Sequence, residues 1–245
     1  MKKFTDLALA FAFLAMVAPA SAQEGHYLYK TSLVQAAPGK ILEVIDIYRS
    51  LSEGQARAGV DEPLLWMRHS QGDRWDLLIL FPMKSYSEYY AAERVAKREK
   101  GADANLNTRL KQDIAWQEDV FAYGPSLDDV KKAFAGAGLF HVEMFQALPG
   151  KDAELFKQRE MENTFSGKLG EPQNLIFVRD QGAAWDVFTI GCFRNMKHYA
   201  ESEGVSKADQ EAAAKAAGFE SPAQIGPYLR TLISLHHDTL ATAIK

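Results

Sequence analysis

Three groups of residues in this sequence have types and spacings that could do chemistry. His236-His237-Asp238 is the one cluster of imidazoles. A carboxylate beside a histidine can orient it as a general base, and a histidine on an apolar face can ligate a haem or a metal. Leu229, Leu232, Ile233, His236 and Leu240 recur at helical spacing. That spacing predicts a final helix from about Tyr228 to Thr239 with His236 on its apolar face, where a buried, structurally bonded imidazole is the alternative. Neighbours on a helix point about 100° apart, so His236 and His237 cannot readily share one ion. No zinc spacing such as H-x-x-x-H is present, and no metal site is expected. The second group is His141 and Glu143, two residues apart and so on one face of a strand. The third is a pair of arginines, Arg68 and Arg179, each two residues after an aromatic, Trp66 and Phe177. Such a pair can hold an acidic ligand, or each can fix a turn by pairing with Asp73, Asp76 or Asp186. No phosphate-cradling glycine loop, G-x-S-x-G or Ser-His-Asp frame occurs.

The elements that must position these groups come in two copies. Gln71-Gly72-Asp73-Arg74-Trp75-Asp76 is answered by Gln181-Gly182-Ala183-Ala184-Trp185-Asp186. Pro38-Gly39-Lys40 is answered by Pro149-Gly150-Lys151, Glu62-Pro63 by Glu171-Pro172, and Tyr89 by Tyr199. In the first copy a strand is expected over His26–Gln35 and a helix from Ile41 to about Ala58. A glycine hairpin joining Leu64–His69 to Trp75–Phe81 follows, then helical stretches, the first with Ser85 and Glu88 at capping-box spacing. Val120–Tyr123 either closes the unit as a fourth strand or extends the helix before it. The second copy repeats this order from Leu139, with Leu139–Gln146 and Leu175–Arg179 as strands, and adds an alanine-rich helix stopped by Gly218. Trp75 and Trp185 are expected to anchor their hairpins.

Each copy therefore reads β-α-β-β-α with a closing strand, the split β-α-β or ferredoxin-like arrangement. One face of such a sheet is bare, and two copies can bury their bare faces against each other. The expected division is a leader over 1–22, a first unit over 23–124, a linker over 125–138 and a second unit over 139–245.

The leader has Lys2 and Lys3, an apolar run from Leu7 to Val17 and Ala20-Ser21-Ala22, the pattern of a secretory signal peptide cleaved after Ala22. The mature chain is expected in the periplasm or secreted, with no membrane partner after cleavage. The 245 residues carry a net charge of -4 without a basic cluster, which disfavours a nucleic-acid partner. The single cysteine, Cys192, excludes an intramolecular disulfide and reads as a small buried hydrophobe.

In the order and punctuation of these elements the sequence resembles the dimeric α-β barrel superfamily, here as a tandem duplication. The superfamily spans antibiotic-biosynthesis-type monooxygenases, EthD-like and NIPSNAP-like proteins, muconolactone isomerases, haem-degrading oxygenases, chlorite dismutases and dye-decolourising peroxidases. The resemblance implies an α+β fold of two tandem ferredoxin-like β-α-β-β-α-β units forming an intramolecular dimeric α-β barrel. It does not choose among activities. Within such a barrel, Phe140, Val142 and Met144 are expected to face the helices. His141 and Glu143 are expected to face the space between the two sheets, with Lys30 and Ser32 at the matching positions of the first unit. The opposite registry is the alternative.

The leading expectation is an exported barrel protein that binds a small, largely apolar molecule between its sheets, as a cofactor-free oxygenase or isomerase. His141, Glu143 and His236 are its catalytic candidates, and Lys30, Arg68, Arg179, Trp66 and Phe177 its ligand contacts. The alternatives are a non-catalytic binding or stress module, and a haem-binding member with His236 or His198 as axial ligand. With both halves in one chain, a monomer is expected, or a homodimer.

Overall fold

The computed structural model describes residues 27–244. The leader expected over residues 1–22 lies outside the described residues. The first unit runs β1 (Tyr27–Ala36), α1 (Ile41–Arg57), β2 (Leu65–Gln71), β3 (Leu77–Lys84), α2 (Tyr86–Tyr89), α3 (Ala92–Gly101), α4 (Ala104–Asp113) and β4 (Ile114–Gly124). Helix α5 (Leu127–Ala135) leads into the second unit: β5 (Leu139–Ala147), α6 (Asp152–Lys168), β6 (Leu175–Gly182), β7 (Val187–Phe193), α7 (Met196–Tyr199), α8 (Lys207–Ala217), α9 (Ile225–Arg230) and β8 (Ile233–Ala243).

The eight strands close into one antiparallel barrel in the order β1-β3-β2-β8-β5-β7-β6-β4. Each unit contributes a four-stranded ferredoxin-like sheet, and the seams are β2 against β8 and β4 against β6. No helix among the described residues is long and apolar enough to cross a membrane.

The doubled Gln-Gly-x-x-Trp-Asp phrase builds both hairpin and seam. Gly72 has φ 121° and Gly182 φ 86°, backbone that a side chain resists. A Cβ on Gly72 would strike the carbonyl of Asp238, and one on Gly182 the carbonyl of Asp119. Each phrase therefore lays its glycine on the closing strand of the other unit. The two tryptophans join the barrel interior. The aspartates tie off the first strand of their own unit: Ala36 N–H donates to Asp76 Oδ2 and Ala147 N–H to Asp186 Oδ2, both at 2.8 Å.

The barrel interior is a packed core. Tyr29, Met67, Phe140, Phe145's inward neighbour Met144, Phe177 and Phe188 are all buried, and Phe177 and Phe188 stack at 4.6 Å. This reverses the expected facing of β5: Phe140, Val142 and Met144 point inward, and His141 and Glu143 point outward beneath the helices. Lys30 and Ser32 turn outward with them. The expectation of a ligand between the two sheets fails on the same ground, because that space is filled by side chains. α1 covers the outer face of the first sheet through Val44, Ile45 and Tyr48. α6 and α9 cover the second through Leu155 and Leu229, and α8 packs on α6.

One further expectation is corrected. The final helix ends at Arg230, and the segment carrying His236 is β8. Ile233, Thr239 and Thr242 suit a strand, and pairing with β2 and β5 decides it. The helix before β4 stops at Asp113, so Ile114 and Trp116 begin the fourth strand. Ser85 caps α2 as expected, its hydroxyl accepting from Glu88 N–H at 3.2 Å.

Candidate functional site

The register of the strands makes the two units comparable residue by residue. Asp76 N–H donates to the Val34 carbonyl and Asp186 N–H to the Phe145 carbonyl, so β1 and β5 match at an offset of 111. Lys30 then matches His141, and Ser32 matches Glu143. Helices α1 and α6 match at the same offset, which sets Tyr48 against Arg159. On the closing strands, Ser32 pairs with Asp119 and Glu143 with Asp238, while Val34 pairs with Gln117 and Phe145 with His236. Each unit thus carries a polar group on its outer sheet face: Lys30, Ser32, Gln117 and Asp119 in one, His141, Glu143, His236 and Asp238 in the other.

In the first unit that face opens into a cavity of about 650 Å³ beneath α1 and α4. Leu51, Leu64, Phe81, Leu110 and Ile114 supply apolar wall, and Tyr48 lines the cavity with them. Lys30 Nζ lies 3.8 Å from Asp119 Oδ2 and 4.6 Å from the centre of the Phe81 ring. Asp119 is fixed by Ser32, whose hydroxyl donates at 2.5 Å, and by the Gln117 amide at 2.8 Å. Gln55, a residue of the cavity lining, donates its amide to the Arg98 carbonyl at 3.1 Å, and its buried Oε1 accepts from nothing. An unmet buried acceptor costs about 1–3 kcal/mol unless a donor reaches it. Burial pushes the Tyr48 hydroxyl pKa well up, so it stays protonated.

In the second unit the same space is closed by charge. Arg159 is 2% exposed, with its guanidinium 4.5 Å over the Phe145 ring. It lies 3.5 Å from Glu143 Oε2 and 2.6 Å from Glu162. Thr189 donates to Glu143 Oε2 at 3.0 Å. His236 stacks on Phe145 at 4.7 Å, with Nε2 3.4 Å from both Glu143 Oε1 and Asp238 Oδ1. His141 Nε2 lies 3.2 Å from Asp238 Oδ1. Asp238 and then Glu143 raise the His236 imidazole to about 9 against the opposing effect of burial. Burial pulls Glu143 up, but His236 and Arg159 outweigh it and leave the carboxyl below its usual range. His141 and then His236 hold Asp238 far below that range, and burial raises Glu162.

The remaining candidates separate. Arg179 pairs with Asp186 inside its own hairpin, the turn-fixing role open to it. Its counterpart is His69, since His69 N–H donates to the Asp76 carbonyl as Arg179 N–H does to Asp186. Matching Arg179 with Arg68 was one residue out of register, and Arg68 stands exposed on β2 at the seam. Trp66 faces outward, 6.4 Å from Tyr48, whereas Phe177 is buried in the barrel interior. His237 turns away from His236, 3.0 Å from Asp73 and 5.0 Å from Trp185. His198 accepts from Arg194 N–H at 3.1 Å and lies on a polar rim with Ser166, Glu171 and Glu201. His236 is held between two carboxylates, and His198 lines a surface groove that also carries Leu169, Phe193 and Tyr199. Asp119, Gln117, Gln55, Tyr48 and Arg159 were not singled out in the sequence. The offset of 111 that aligned the strands would have set Tyr48 against Arg159 and flagged them.

No protein-family model matches this sequence, and no curated protein matches it. Solved structures do. An anthrone oxidase-like protein superposes with a TM-score of 0.55 at 11% identity, over 91% of this chain and 93% of its own. A proposed monooxygenase from Lactobacillus acidophilus NCFM superposes with a TM-score of 0.52 at 6% identity, over 89% of this chain and 93% of its own. At such identities the likeness is one of fold. The chain has a dimeric α-β barrel fold, with both ferredoxin-like halves in one polypeptide.

Proposed function

We propose that this protein binds a small, largely apolar molecule in the cavity of its first unit, between the outer face of the sheet and helices α1 and α4. The observation that carries this is the contrast between the units. The same space is filled by Arg159 and its carboxylates in the second and stays open, at about 650 Å³, in the first. That volume suits a drug-sized molecule, whose sites typically measure about 300–1,000 Å³ and combine apolar walls with a few placed polar groups.

The polar groups specify the ligand further. Lys30 addresses an acidic or strongly accepting oxygen, and the unmet Gln55 Oε1 asks for a donor. Tyr48 and Phe81 offer aromatic walls. A hydroxylated aromatic acid meets all three demands. The two solved structures of the same fold carry oxidase-like and monooxygenase names, but the likeness is of fold, so the proposal stops at binding. Export belongs to the same proposal: the leader pattern up to Ala22 predicts a mature chain that begins at Gln23, which N-terminal sequencing of the exported protein checks.

The test is a titration of purified protein with hydroxynaphthoic acids, followed by the fluorescence of Trp66, which lies against Tyr48. Saturable binding that Leu51→Trp abolishes by filling the cavity is expected. Equal binding by that variant would remove the first-unit cavity from the account.

A further inference from the structure

The second unit's polar cluster brings three carboxylates, Glu143, Glu162 and Asp238, against the Arg159 guanidinium and the His236 and His141 imidazoles. Partly buried carboxylates crowded this closely need a cationic partner besides Arg159.

The geometry around the two histidines points to that partner. His236 Nε2 is buried and makes no hydrogen bond, although two carboxylate oxygens lie 3.4 Å away. Those contacts are longer than the 2.7–3.2 Å of an ordinary N–H···O bond, so the ring nitrogen is aimed at the cluster without closing on either acid. His141 Nε2 approaches the same Asp238 oxygen at 3.2 Å. Donor atoms of His141, Glu143 and Asp238 all lie within 4.8 Å of one another. A tetrahedral ion bonded at about 2.1 Å to imidazole nitrogens and carboxylate oxygens spaces its ligands about 3.4 Å apart.

The surroundings are arranged as a ligand shell requires. Thr189 and Arg159 both address Glu143 Oε2, which leaves Oε1 for the cluster. Neighbours of this kind fix ligand orientation in metal sites. His141 and Asp238 reach the surface, which gives an ion a way in.

We propose that His141, His236, Glu143 and Asp238 together bind one divalent first-row transition-metal ion of the zinc class on the outer face of the second sheet. Four protein donors close a tetrahedral shell, so the ion clamps β5 to β8 and takes no open coordination position for substrate. The site is independent of the cavity in the first unit.

The test uses the full mature chain, stripped with a chelator and titrated with Zn²⁺ against a chromophoric competitor, with Co²⁺ as the optical probe. One equivalent of Zn²⁺, a tetrahedral Co²⁺ visible spectrum and a rise in Tm on adding either ion are expected. His141→Ala and His236→Gln should each weaken Zn²⁺ by well over tenfold, while His237→Gln, whose ring faces Asp73, should leave affinity unchanged. Two imidazolium ions would satisfy the same charge without metal. In that case the stripped wild-type protein shows no Tm rise and no stoichiometric Zn²⁺ binding, and the proposal is overturned. The Tm measurement on wild type decides the matter even where a variant fails to fold. Binding that survives loss of both His141 and His236 would overturn it as well.

Discussion

Tyr48 and Arg159 occupy the same position on α1 and α6, 111 residues apart, and what each does there separates the two halves of the molecule. The tyrosine borders a cavity, and the guanidinium fills one. The two frames match in register, and in the second Arg159 with Glu143 and Glu162 takes the room that the first keeps open.

Arg159→Met should be strongly destabilising. It removes the buried cation that faces Glu143 and Glu162, and breaking a buried pair by deleting one partner costs about 3–5 kcal/mol. Urea unfolding at neutral pH should show a lower midpoint with an unchanged slope. Tyr48→Phe, which keeps the ring and deletes only the hydroxyl at the cavity edge, should stay within about 1 kcal/mol of wild type.

Ligand affinity should follow the two polar groups of the first cavity. Lys30→Met should weaken binding of an aromatic acid about tenfold or more, since a hydrogen bond to a charged group contributes about 1.5–3 kcal/mol. Gln55→Leu should weaken hydroxylated ligands and spare those without the hydroxyl. Isothermal titration of both variants checks this pattern, and an equal loss for both ligand classes would contradict it.

The aspartates of the doubled phrase should both matter to stability. Asp76→Ala and Asp186→Ala each leave the backbone N–H of Ala36 or Ala147 without its acceptor, at about 1–3 kcal/mol. Asp186→Ala should cost more, because it also strands Arg179. Chemical denaturation of the two single variants and the double variant measures both the costs and their additivity.

Cys192 should be inert in the folded protein. Burial alone pushes its thiol up to about 12, so almost no thiolate exists near neutrality. A raised pKa in the folded state leaves the neutral thiol's stability in place below the unfolded value near 9. That stability is then lost as pH rises towards 12. A thiol reagent at pH 8 should react only after denaturant is added.

Much of this architecture was legible in residue spacing. Gln-Gly-x-x-Trp-Asp and Pro-Gly-Lys recur in order, and they mark the hairpins and the starts of α1 and α6. Facing was not legible, because β5 alternates Phe140, Val142 and Met144 with His141, Glu143 and Phe145, and both sides of this strand are covered. Only closure of the barrel assigns one side to the interior. The final strand was hidden because leucines at 229, 232 and 240 satisfy a helical period by chance across α9 and β8. Arg159 was hidden because Gln158 and Arg159 lie on the buried face of α6 and blur its apolar stripe. Asp119 and Gln117 looked like solvated residues until pairing with β1 set them beside Lys30 and Ser32.

Where the ligand sits is decided by a crystal structure of the protein soaked with a hydroxynaphthoic acid. Density is expected beneath α1 and α4, with an acidic oxygen at Lys30 and a hydroxyl near Gln55. Density in the barrel interior, or in the groove beside His141 and Tyr199, would contradict that placement.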